Sequence, residues 1–93
     1  MDADFVIPED TRRRYLERRL ADVETLSAAW RAGDFTEFKR IGHQLKGNAA
    51  SFGYKDLEVI AIDLEKAGLN KDRASAENQL ELLKRWVSAH KTD

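Results

Sequence analysis

Ninety-three residues leave room for one hydrophobic core, which excludes a large enzyme fold. Sixteen Lys and Arg against seventeen Asp and Glu give a net charge of −1, so no global field steers the chain toward nucleic acid or an anionic membrane. The lack of cysteine removes disulfide scaffolds, thiolate metal sites and cysteine nucleophiles, and suits a reducing compartment such as the cytoplasm.

With 42% apolar and 35% charged residues the composition fits a folded, heavily solvated helical domain over residues 1–93. The start, Met1-Asp2-Ala3-Asp4, is acidic, and no apolar run approaches the roughly 18 residues needed to span a bilayer, so no membrane association is expected. Phe5-Val6-Ile7 is apolar but stops at Pro8, which predicts a short N-terminal strap over residues 1–8, ahead of a bundle over 9–90.

From about Glu9 to Ala32, Leu16, Leu20, Val23 and Trp30 recur at helical steps, with Leu26 widening the stripe: a long amphipathic first helix. Gly33 can take the left-handed conformation that ends it, and Asp34 can cap the next helix with Glu37 completing a capping box. The second helix is predicted over Phe35–Phe52, with Phe38, Ile41, Leu45, Ala49 and Phe52 inward and Gly53 as its stop. A third runs from Lys55 to Ala67, burying Leu57, Ile60, Ala61 and Leu64 before Gly68 and Asn70 break it. The fourth runs from about Arg73 to His90, with Leu80, Leu83 and Val87 inward and Leu82 and Trp86 beside them. Four such helices with short connections predict an all-α, antiparallel up-down-up-down four-helix bundle.

The second helix breaks local rules. Gly42 and Gly47 stand where alanine would be better by about 1 kcal/mol each, so something must offset them. At 100° per residue His43 points roughly 150° away from the apolar face, into solvent. Lys39, Arg40 and Lys46 flank it, while Gly47 and Ala50 continue the same exposed strip. The strip is thus expected to be basic at its edges and bare in its middle. An imidazole with the ordinary pKa of about 6.5 is mostly neutral at pH 7, and its distal nitrogen can attack phosphorus in line. Lys46, one turn on, can neutralise the equatorial phosphoryl oxygens, and the small residues at 47 and 50 let a partner's active-site rim reach the helix.

On these residues the sequence resembles a histidine-containing phosphotransfer (HPt) domain of two-component phosphorelays. The matching core is His43-Gln44-Leu45-Lys46-Gly47 followed by Asn48-Ala49-Ala50-Ser51-Phe52-Gly53, supported by Ala32-Gly33-Asp34-Phe35 and by Leu64-Glu65-Lys66-Ala67. The resemblance implies a four-helix bundle that accepts a phosphoryl group from a receiver aspartate and passes it to another. His43 would be the acceptor, Lys46 the neighbouring charge and Gly47 the docking clearance. It also implies that the chain needs no cofactor, the Mg2+ of the transfer belonging to the receiver. Gly42 departs from the alanine many relatives carry, which points to a looser helix beside His43.

Arg12, Arg13, Arg14, Arg18 and Arg19 interleave with Glu17, Asp22 and Glu24, which favours a solvated, ion-paired helix face over a nucleic-acid patch. His90, near the chain end, is read as a helix C-terminal cation or surface residue, and Tyr54 as closing the bundle end or edging the docking surface. No Gly-rich phosphate loop is present, so ATP-dependent kinase activity is not expected. The expected partners are response-regulator receiver domains and a hybrid sensor kinase, met by a free-standing, monomeric carrier. The alternative is a non-catalytic helical adaptor that docks receiver or kinase domains.

Overall fold

A computed structural model describes residues 7–90, so the predicted strap lies largely outside the described residues. Four helices follow, α1 (Glu9–Ala32), α2 (Phe35–Phe52), α3 (Lys55–Asn70) and α4 (Arg73–His90), and no strand occurs among the described residues. Each helix packs on the next and α1 packs on α4, which closes the antiparallel bundle.

The three reversals use one device. Gly33, Gly53 and Lys71 adopt left-handed backbone at φ 73°, 80° and 52°. In each case the following amide donates back across the turn, Asp34 to the Ala29 carbonyl at 2.8 Å, Tyr54 to Ala49 at 2.9 Å and Asp72 to Ala67 at 3.0 Å. These bonds satisfy carbonyls that a helix end would otherwise leave open. Asp34 then caps α2 by accepting from the Thr36 amide at 3.1 Å. Glu37 does not complete a capping box: the Asp34 amide is already bound to Ala29, and the Glu37 carboxylate pairs with Arg40. Asp72 caps α4, accepting from the Ser75 amide at 3.1 Å and the Ser75 hydroxyl at 2.9 Å.

Two sequence expectations about glycine are corrected. The third helix does not stop at Ala67 but runs through Gly68 to Asn70, and Lys71 supplies the left-handed residue. Gly68 is instead buried against α2: a Cβ placed on it would lie 2.5 Å from the Lys39 backbone nitrogen. Gly42 is likewise buried, and a Cβ there would lie 2.5 Å from the Glu65 backbone nitrogen and 2.9 Å from the Ala61 carbonyl oxygen. Gly42 therefore tightens the structure beside His43 instead of loosening it, because it lets two helix backbones touch.

The core is led by Leu26, Phe38, Leu45, Leu57, Leu64 and Leu83, all essentially without solvent contact. The buried face of α1 differs from the predicted stripe: Leu20 is 42% exposed and Leu16 only partly buried, while Tyr15 and Arg19 turn inward with Val23, Leu26 and Ala29. Tyr15 stacks on Phe52 with ring centroids 4.2 Å apart and donates its hydroxyl proton to Asn48 Oδ1 at 2.6 Å. The Arg19 guanidinium lies 4.4 Å from the centre of the Tyr15 ring and bonds Asp22 through Nε at 2.8 Å, so this arginine is buried with only 8% exposure. In α4, Leu82 is exposed and Trp86 buried. One bundle end is sealed by aromatic rings. Tyr54 meets the edge of Trp86, and the His90 ring stacks on Trp86 at 3.9 Å with Nδ1 hydrogen-bonded to the Trp86 carbonyl. Tyr54 thus closes the bundle, and His90 belongs to the same cluster. Near the start of α4, Trp30 Nε1 donates to the Arg73 carbonyl at 3.1 Å, and the Arg73 guanidinium covers the indole at 4.1 Å.

Candidate functional site

The apolar positions of α2 face the core and leave Lys39, Arg40, His43, Gly47 and Ala50 on one exposed strip. The His43 side chain is 69% exposed, as the helical projection requires. Its Nδ1 lies 3.0 Å from Oε2 of Glu65, on α3, and the other oxygen of that carboxylate accepts from Lys46 Nζ at 3.0 Å. One carboxylate therefore bridges the imidazole and the ammonium that stands one turn along α2. Glu65 itself is 18% exposed, lodged between the two helices.

This arrangement has chemical consequences. A carboxylate facing Nδ1 favours the tautomer that carries its proton there, which leaves the lone pair on Nε2, at the far side of the ring. The hydrogen bond from Lys46, reinforced by that from His43, holds the Glu65 carboxyl below its ordinary value against the opposing effect of burial. The carboxylate stays charged at neutral and mildly acidic pH, so the bridge is intact across the physiological range.

The strip is less cationic than its composition suggests. Lys46 is paired with Glu65, and Arg40 with Glu37 three residues before it. Lys39 is exposed and makes no ion pair among the described residues. A shallow groove beside the imidazole is lined by Thr36, Lys39, Arg40, His43, Gln44 and Glu65. A second groove, between α1 and α2, shares Gln44 and brings Arg14 and Arg18 to its edge. Gly47 is open: a Cβ added there would meet nothing within 4 Å. Ala50 is exposed one turn on. The bare centre is thus a real feature, while the basic rim reduces to Lys39 and to charges already shared with carboxylates.

Sequence reasoning placed Glu65 in a matching segment without giving it a task. Glu65 lies 22 residues from His43, and no periodicity within α2 reports on it. The available signal was the glycine at 42, whose cost in a helix interior asked for a close neighbour. That neighbour is the backbone of Glu65.

Among the described residues no group of three or more His, Cys, Asp or Glu side chains is placed to hold a metal ion, and no helix is long and apolar enough to cross a membrane. Of the comparisons with known proteins, the scan of family models gives a match: the model described as Hpt domain matches residues 10–93. No curated protein and no solved structure matches the chain.

Proposed function

Because the chain belongs to the Hpt domain family, whose members carry phosphoryl groups on histidine in phosphorelays and interact with receiver domains, we propose that His43 is its phosphoryl acceptor. The observation that carries this reading is the exposed imidazole with Nδ1 held by Glu65 at 3.0 Å, since that contact presents Nε2 outward as the nucleophile.

In the proposed step the Nε2 lone pair forms a bond to phosphorus while the bond from phosphorus to the receiver's aspartate oxygen breaks, and the aspartate leaves as a carboxylate. The Nδ1 proton stays where it is, and the ring becomes cationic. Glu65 then faces that positive charge directly, which stabilises the phosphorylated ring. Lys46 has a flexible stem and can exchange its bond to Glu65 for one to a phosphoryl oxygen, so the site trades one ion pair for another. In this reading Gly47 and Ala50 give clearance for the receiver's rim, and Lys39 and Arg40 contact it. The chain takes no cofactor of its own: Mg2+ sits on the receiver, and no ATP is used. It acts as a monomeric cytoplasmic carrier between receiver domains, one of them in a hybrid sensor kinase.

The test is transfer from a phosphorylated receiver. Acid-labile, alkali-stable phosphate is expected on the wild type and none on His43→Gln. Label that persists in His43→Gln overturns the residue assignment. Binding without label on the wild type would instead support an adaptor that signals by docking alone.

A further inference from the structure

The imidazole and the carboxylate that orients it stand on different helices, so their contact depends on the spacing between α2 and α3. We propose that Gly42 is a positioning residue for the site: its missing side chain lets the α3 backbone seat against α2 at Glu65, which brings that carboxylate within reach of both His43 and Lys46. The inference rests on His43 being the phosphoryl acceptor.

Gly42 immediately precedes His43, and the atoms that a Cβ on it would strike belong to the backbone of Glu65 and Ala61. The distances are 2.5 Å to Glu65 N, 2.8 Å to Glu65 Cα and 2.9 Å to Ala61 O. Backbone atoms of a helix cannot rotate aside as a side-chain tip can, so an added methyl must push α3 back at the residue whose carboxylate bridges the site. The two bonds made by Glu65, each 3.0 Å long, have little slack for such a retreat. Backbone conformation does not explain this glycine: it lies within regular helix and is not among the residues with positive φ.

Gly68 supplies an internal comparison. A Cβ there would come equally close, 2.5 Å, to the α2 backbone, but at Lys39 and not at Glu65. Both glycines join the same two helices. Only Gly42 touches the residue that holds the imidazole.

The experiment reads the tautomer of His43 by the nitrogen chemical shifts of its ring in the full chain, without any receiver present. The wild type is expected to show Nδ1 protonated and Nε2 bare. Gly42→Ala should shift the ring toward the mixture seen in Glu65→Gln and slow phosphoryl acceptance several-fold, and adding Glu65→Gln to it should change the tautomer no further. Gly68→Ala should lower stability with the wild-type tautomer retained. If Gly42→Ala unfolds the chain, Glu65→Asp draws the carboxylate back by one methylene while leaving the glycine contact untouched, and the same shift is expected. A wild-type tautomer in Gly42→Ala or in Glu65→Asp, or an equal shift in Gly68→Ala, would overturn the proposal. Absence of phosphate on the wild type counts against the relay reading alone, because the tautomer is measured on the unphosphorylated ring.

Discussion

The hydroxyl of Tyr15 and the side-chain oxygen of Asn48 meet at 2.6 Å, a single bond that ties α1 to the helix carrying His43. Tyr15→Phe keeps the ring stacked on Phe52 and removes only that bond. Destabilisation of about 0.5–1.5 kcal/mol is expected in urea unfolding, and Asn48→Ala combined with it should cost less than the two changes separately. Strict additivity would mean that the bond contributes nothing.

Burial pushes the Tyr15 phenol above its ordinary value, with Arg19 pulling the other way. The folded state thus favours the protonated ring. That contribution is complete below the unfolded tyrosine pKa of about 10 and is lost as the pH rises through the higher folded value. Alkaline unfolding followed by circular dichroism should be less steep for Tyr15→Phe than for the wild type.

Gly47 and Gly42 have opposite surroundings and should respond oppositely to alanine. At Gly47 the added methyl meets nothing, so Gly47→Ala is expected to raise stability by roughly 0.5–1 kcal/mol while slowing transfer from a phosphorylated receiver. Thermal unfolding and transfer kinetics on the same samples separate the two effects. Unchanged kinetics would show that the clearance over this turn is not used in docking.

The Glu65 carboxyl is held low by Lys46 and then His43, so folding favours its ionised form. Its contribution to stability is present above the unfolded carboxylate pKa of about 4.3 and fades as the pH falls through the lower folded value. The stability difference between wild type and Glu65→Gln should therefore shrink on acidification between about pH 5 and pH 2. A difference that stays constant through that window would show that the bridge to Lys46 and His43 does not form in solution.

Phe38 has no exposed surface, and Phe38→Ala should cost about 3–5 kcal/mol, a large part of the roughly 5–15 kcal/mol that such domains possess. His43→Gln, five residues away on the opposite face, should change stability by less than about 1 kcal/mol. Chemical denaturation of both variants checks whether function and folding are carried by separate faces of α2.

The four helices and the outward imidazole were legible because both rest on periodicity and turn chemistry within one segment. The stripe on α1 was misread where amphipathic side chains outcompete an apolar one: Tyr15 and Arg19 bury ring and stem together, and Leu20 is left outside. Gly68 reads as a breaker in the sequence because glycine at a helix end and glycine at a helix crossing look alike until the partner helix is in place. Glu65 was invisible as a site residue for the same reason. Its role exists only across an interface, and a linear pattern cannot report which carboxylate arrives there.

The two indoles mark opposite ends of α4: Trp30, on α1, lies under Arg73, and Trp86, thirteen residues after Arg73 and about 20 Å of helix rise away, lies against His90. Each is a native fluorophore packed against a different polar side chain. Emission from Trp30→Phe and Trp86→Phe samples would accordingly report fraying at one extremity of the molecule without interference from the other, and neither indole lines the groove beside His43.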